Sequence, residues 1–148
     1  MKKASRFLSL LLCLILVLGA TTAFAEEPAL EDAPFDGWVE GRDITLEFCE
    51  AVARLEPFGE GNDEPVFGIA NVALRDVRPF GEDGRHLSFL FADRSIPRAV
   101  WWNHGDRAEA IRAKSGCRFD FLVKAKVSDF GYEPHPELTV EDVRISAV

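Results

Sequence analysis

Positive charge is in short supply in this chain. Lys and Arg number 17 against 25 Asp and Glu, a formal net charge of −8 over 148 residues. Non-specific nucleic-acid binding rests on basic residues set against phosphates, so this balance excludes a general nucleic-acid coat protein. Histidine is scarcer still: His86, His104 and His135 lie far apart, without a ligand-like spacing. There is no metal-ligand spacing, no Gly-rich phosphate loop and no nucleophile motif, and no serine lies in a G-x-S-x-G frame. These absences leave no catalytic residue, no metal site and no cofactor site to name. Internal repeats are missing too. The first apolar run, Phe7 to Leu18, is short of the roughly 18 or more residues that suggest a spanning helix.

That run sits inside an ordered N-terminus. Met1-Lys2-Lys3-Ala4-Ser5-Arg6 is a basic opening, the apolar run comes next, and Ala23-Phe24-Ala25 is a small-x-small site before Glu26-Glu27. Basic, apolar and small residues in this order build a bacterial secretory signal peptide, here residues 1–25. An N-terminal membrane anchor is the alternative for the same residues. Cys13 lies mid-run behind leucines rather than after a small residue, which argues against a lipoprotein cleavage site. Cleavage near Ala25 predicts a secreted or cell-envelope protein with no membrane association afterwards. The rest of the chain is long enough for one domain with a real core. Removing Lys2, Lys3 and Arg6 makes that remainder three charges more negative than the whole. Export favours a disulfide between Cys49 and Cys117 if their sulfurs meet; two buried thiols are the other reading, and the sequence does not choose.

Residues 26–42 mix acid, Pro and Gly with isolated apolar residues and predict a mostly unstructured acidic lead segment, with Phe35 and Trp38 able to dock. Asp43 or Thr45 caps an expected helix running to about Leu55, with Ile44, Phe48, Ala51, Val52 and Leu55 on one face. Glu56 to Pro65 is dense in helix and strand breakers and predicts an ordered loop or turn series. Five strand-like segments come next. In the first, Val66 to Arg78, the apolar set Ala70, Val72 and Leu74 shifts phase to Val77, which predicts a bulge. The second is His86 to Asp93, with Leu87, Phe89 and Phe91 on one face, and the third is Ile96 to Asn103. A short helix from an Asp106 cap to about Lys114 follows, stopped by Gly116. In the fourth strand Phe119, Phe121, Val123, Ala125 and Val127 alternate with polar neighbours; the fifth runs from Glu137 to Ile145. Three strands, a helix and two strands predict a mainly β fold: a five-stranded OB-fold barrel with an N-terminal helix and a short helix between strands 3 and 4.

The segment Leu55-Glu56-Pro57-Phe58-Gly59-Glu60-Gly61-Asn62-Asp63-Glu64-Pro65-Val66-Phe67 resembles the pattern L-x-P-F-G-x-G-N-x-x-P-x-F of RecJ, the single-strand-specific 5′→3′ DNA exonuclease. In that family the pattern leads into the C-terminal OB domain. The likeness continues through DVRPFGEDGRHLSF, AVWWN and VEDVRI and covers residues 43–148. It implies a helix plus a RecJ-like OB-fold domain over 43–148. The family's catalytic domains, which hold divalent metal through aspartates and histidines of DHH-type motifs, have no counterpart in these residues. The resemblance therefore implies a binding module and not an enzyme. Where the family tends to have Pro after the signature Asn and bases in the loop after the fourth strand, this chain has Asp63 and the acidic Gly131-Tyr132-Glu133-Pro134-His135.

The candidate ligand residues come from these elements. Gly59, Gly61 and Asn62 either approach a ligand backbone or only turn the chain. Trp101 and Trp102 are adjacent on one strand and point to opposite faces, so one enters the core and the other is free to stack or to be covered by the N-terminal segment. Phe130 and Tyr132 sit in the loop that OB folds use for ligands. Arg75, Arg98, Lys124 and Lys126, with Arg78, Arg85 and Arg94, either line a phosphate track or form an ordinary surface paired with Asp76, Glu82, Asp83 and Asp93. Two functions stand open. One is an exported OB module with weak single-stranded nucleic-acid binding, which the resemblance implies. The other, which acidity and export favour, is an envelope or extracellular module for a protein, a glycan or a small cationic ligand. A gene fragment fused to a signal is a third reading of the same residues.

Overall fold

The computed structural model describes residues 35–147. The expected signal at 1–25, the acidic residues 26–34 and Val148 lie outside the described residues. The described strands are β1 (Gly37–Trp38), β2 (Phe67–Phe80), β3 (His86–Phe91), β4 (Ala99–Trp101), β5 (Arg118–Ser128) and β6 (His135–Ile145), with helices α1 (Leu46–Ala53) and α2 (Ala108–Arg112). The sheet order is β1-β2-β3-β4-β6-β5, and β2 pairs again with β5. That last pairing closes strands β2 to β6 into a five-stranded barrel. Within the barrel β4 and β6 run parallel and the other pairs are antiparallel. With α2 between the third and fourth barrel strands, this is the OB fold.

Closure depends on β2 serving both edges. Its first half pairs with β5 and its second half with β3, with register breaks between Ile69 and Val72 and between Leu74 and Asp76. The second break is the phase shift visible before Val77. The first corrects the expected pattern: Ile69 is buried and Ala70 is exposed. Asn71 takes a positive φ of 57° there, its N–H donating to Asp120 Oδ1 at 2.7 Å and its carbonyl accepting from Arg118. Asn tolerates this region better than most residues, and the extra residue resets which side chains face inward.

The interior is aromatic. Leu87, Phe89 and Phe91 of β3 meet Phe119, Phe121, Val123 and Ala125 of β5. Phe121 is fully buried, with Phe89 and Phe91 ring centroids at 5.2 and 5.3 Å in edge-on contact. Each such side chain contributes about 1.5–3 kcal/mol through removal from water. Leu122, of opposite parity, is buried as well, and α1 packs against this strand.

The helices are shorter than their patterns suggest. Thr45 is the N-cap of α1, accepting from the Phe48 N–H at 3.2 Å. Cys49 and Val52 form its buried stripe, while Ala51 faces outward and Leu55, beyond the helix end at Ala53, is exposed. Asp106 does not cap α2. Gly105–Arg107 forms a tight 3-10 turn, and Arg107 occupies the cap position without a side-chain bond. Arg112 ties α2 to β2, donating from Nε and Nη2 to the Val77 carbonyl at 3.0 and 2.7 Å. β4 is also shorter than expected: Pro97 offers no N–H to a ladder, and Asn103 turns away with φ 61°.

The segment expected to lead into the domain is built into it from Phe35 onward. β1 pairs in parallel with Phe67 and Gly68, and Asp36 closes the start by accepting the Val66 N–H at 2.8 Å on Oδ2. Trp38 lies so close over Gly68 that a Cβ there would sit 2.5 Å from its ring. Only glycine fits under that indole. Cys49 and Cys117 are free thiols, and burial pushes the Cys49 thiol up from its ordinary pKa.

Candidate functional site

Because Leu87, Phe89 and Phe91 point inward, His86, Ser88 and Leu90 of β3 must point outward. The register aligns His86 with Phe80 at the end of β2, and Trp102 follows directly after β4. The three rings form one cluster outside the barrel. The His86 centroid is 4.8 Å from Trp102 and 5.3 Å from Phe80, and Phe80 is 5.9 Å from Trp102. His86 Nδ1 accepts the Asn103 N–H at 3.0 Å, which fixes the ring. Trp102 keeps 43% of its surface open. Arg98, at the other end of β4, reaches back over this face: its Nε donates to Ser88 Oγ at 2.9 Å and its guanidinium carbon lies 5.4 Å from the Phe80 centroid. A cation held against an aromatic face is attracted by the ring quadrupole, so the arginine is positioned without a carboxylate partner among the described residues.

Two loops bracket the face. β4 and β6 are parallel, with Ala99 opposite Leu138. The β5–β6 loop, residues 129–134, therefore lies at the Arg98 end. The β2–β3 turn, residues 81–85, lies at the Trp102 end. Phe130 is 90% exposed and Tyr132 fully exposed, and neither ring stacks on another among the described residues. Gly131 between them has φ 131°. Asp129 and Glu133 flank the pair.

Among the described residues, two of the basic candidates, Lys124 and Arg78, are paired with acids. Lys124 Nζ lies 3.1 Å from Glu141 and 3.5 Å from Glu64. Partial burial acts to lower the Lys124 pKa, but the hydrogen bond and charge of Glu141, then those of Glu64, outweigh it and hold the ammonium above its ordinary value. Lys126 stands directly opposite Glu137 on β6. Arg78 pairs with Asp76, and Arg144 with Asp142.

Other sequence candidates separate from this face. Asn62 turns its amide onto its own loop, donating from Nδ2 to the carbonyls of Leu55 and Pro57 at 3.0 and 2.9 Å. Gly59 and Asn62 exchange backbone bonds, and Gly61 between them needs φ +83°. Gly59, Gly61 and Asn62 thus brace the turn at the end of α1. Trp101 points inward, 9% exposed, and stacks on His104 at 4.0 Å. Trp102 is thus the outer member of the pair, and Phe80 and His86 pack against it. Arg75 lines a separate small cleft of about 260 Å³ with Ile111 and Arg112. Arg98, Trp102 and the Phe130–Tyr132 loop share the face, while Lys124 and Lys126 lie on β5, which β6 separates from β4. Sequence reasoning missed Phe80, His86 and Ser88. The signal for His86 and Ser88 was the parity of β3 itself, since a strand with Leu87, Phe89 and Phe91 inside exposes the residues between them.

Among the described residues no cluster of three or more His, Cys, Asp or Glu is placed to hold a metal, and no helix is long and apolar enough to cross a membrane. Residues 35–142 match the family described as RecJ OB domain. The single-stranded-DNA-specific exonuclease RecJ of Bacillus subtilis is 28% identical over 105 residues, 70% of this chain and 13% of that protein. The protein of the same name from Thermus thermophilus is 44% identical over 57 residues, 38% of this chain and 8% of that one. The chain thus spans a small fraction of the length of the curated relatives it matches, and the matched part is the OB domain alone. Among solved structures, Thermus thermophilus RecJ in complex with Mn2+ superposes with a TM-score of 0.56 at 23% identity, over 77% of this chain and 16% of that one. The complex with Mg2+ gives 0.53 at 25% identity, over 74% and 16%.

Proposed function

Starting from the fact that the chain belongs to the RecJ OB domain family, we propose that it is a non-catalytic OB module that binds single-stranded nucleic acid weakly on the outer face of β3 and β4. The observation that carries this reading is the pairing of Trp102, open beside Phe80, His86 and Arg98, with a bracketing loop that presents Phe130 and Tyr132 to solvent. Bases stack on such rings whatever their sequence, and the OB fold uses this face and these two loops for oligonucleotides. The curated relatives carry single-stranded DNA in their names, which supports the ligand class.

The same reading includes export. The basic, apolar and small-residue order of residues 1–25 supports a protein released near Ala25 to the envelope or the exterior. One observation favours a second reading, a module for a protein, glycan or small cationic ligand: the acids Asp129 and Glu133 flank the exposed aromatics of the loop.

Fluorescence anisotropy with a labelled thymidine oligomer tests the first reading. Affinity is expected near the non-specific level, roughly 10⁻⁴–10⁻⁶ M at physiological salt. No binding at those concentrations would transfer the assignment to the second reading.

A further inference from the structure

Resting on that nucleic-acid reading, we infer that the face recognises unpaired bases and not phosphates, so that an oligomer with an uncharged backbone is as good a ligand as DNA. The surface offers very different things to the two halves of a nucleotide. To bases it offers Trp102 at one end of the face and Phe130 with Tyr132 at the other, with large open surfaces. To phosphates it offers little. Lys124 is held between Glu64 and Glu141, and Arg78 is paired with Asp76. The aromatic loop carries Asp129 and Glu133 and no base. Among the described residues, Arg98 and Arg85 of the bracketing turn are the cations of the face without a carboxylate in contact, and Arg98 is held by Ser88 Oγ and the Phe80 ring.

A phosphate approaching the aromatic loop must pass its two carboxylates. A base meets exposed ring faces and gains stacking, which binds sequence-tolerantly in comparable sites. The attraction is then set by the number of unpaired bases, and the negative backbone is a cost that an uncharged backbone removes. Counterion release gives the size of the difference. On single strands the logarithm of affinity falls by about 0.7 per phosphate neutralised for each logarithmic unit of salt. Two free guanidinium groups predict a loss of about sevenfold between roughly 50 and 200 mM salt, whereas a track of five unopposed bases predicts a loss of roughly a hundredfold.

The test uses the chain from Glu26 to Val148 and two labelled probes: a thymidine oligomer and a thymine peptide nucleic acid of the same length, about ten residues, inside the span of about 4–16 that one OB fold covers. The expected result is that both bind, the uncharged probe at least as tightly, that DNA affinity falls only about sevenfold over that salt range, and that Phe130→Ala with Tyr132→Ala weakens both probes alike. Asp129→Asn with Glu133→Gln should then strengthen DNA alone. Binding of DNA with a steep salt slope and none of the uncharged probe overturns the inference while leaving the nucleic-acid reading intact. Failure of both probes to bind sinks both.

Discussion

Two loops of this protein invite the same assignment and behave in opposite ways. The loop from Glu56 to Pro65 has the more distinctive sequence, yet the polar groups of Gly59 and Asn62 are spent within it. Asn62 binds the carbonyls of Leu55 and Pro57, and Gly59 and Asn62 pair with each other. The loop from Asp129 to Pro134 departs from its family's pattern, yet it leaves Phe130 and Tyr132 wholly open. A fixed spacing of Gly, Asn and Pro records how a chain must turn. It says less about what the chain touches than an aromatic left without cover does.

The barrel interior supplies the scale for changes that separate the two loops. Phe121→Ala removes the ring that Phe89 and Phe91 pack against and should cost about 3–5 kcal/mol of stability, read by urea denaturation. A loss below about 1 kcal/mol would mean that the core is not centred there. In the outer loop, Phe130→Ala and Tyr132→Ala should each weaken oligonucleotide binding by about 1–3 kcal/mol. Neither should move stability by more than about 0.5 kcal/mol, because neither ring touches the fold. Equal binding by wild type and double variant would remove the loop from the site. Asn62→Ala should do the reverse, lowering stability by about 1–2 kcal/mol through two lost hydrogen bonds and leaving binding unchanged. A stable variant with impaired binding would reverse the assignment of the two loops.

The smallest effect concerns pH. Lys124 is held above its ordinary value of 10.5 by Glu141 and Glu64. A raised lysine stabilises the fold fully below its unfolded pKa and loses that contribution as pH rises through the folded pKa. The pair network should contribute about 0.2–1 kcal/mol at this partly exposed site. Thermal melts from about pH 9 upward, approaching the unfolded lysine value, should therefore fall more steeply for wild type than for Lys124→Met. Parallel curves would show that the network adds nothing measurable.

The sequence is most readable where one strand carries its own period. Leu87, Phe89 and Phe91, and the alternation from Phe119 to Ala125, place β3 and β5 and their inner faces without help. The shift before Val77 marks one bulge of β2. The bulge at Asn71 is held by Asp120, distant in sequence, and leaves no local signature. β1 is held the same way, by pairing with residues 30 positions along the chain. The site divides similarly. The opposite faces of Trp101 and Trp102, and the exposed loop aromatics, follow from alternation and turn composition. The meeting of Phe80, His86 and Trp102 needs the register of three strands, and the pairing of Lys124 with both Glu64 and Glu141 needs the closed barrel.

The most direct measurement is a map of backbone amide shifts by NMR as a thymidine oligomer is titrated into the labelled protein. The account predicts perturbations along 86–90, at Arg98 to Trp102 and through 129–134, with the residues from Glu56 to Pro65 unmoved. Perturbations concentrated at Gly59, Gly61 and Asn62, with Trp102, Phe130 and Tyr132 silent, would contradict it.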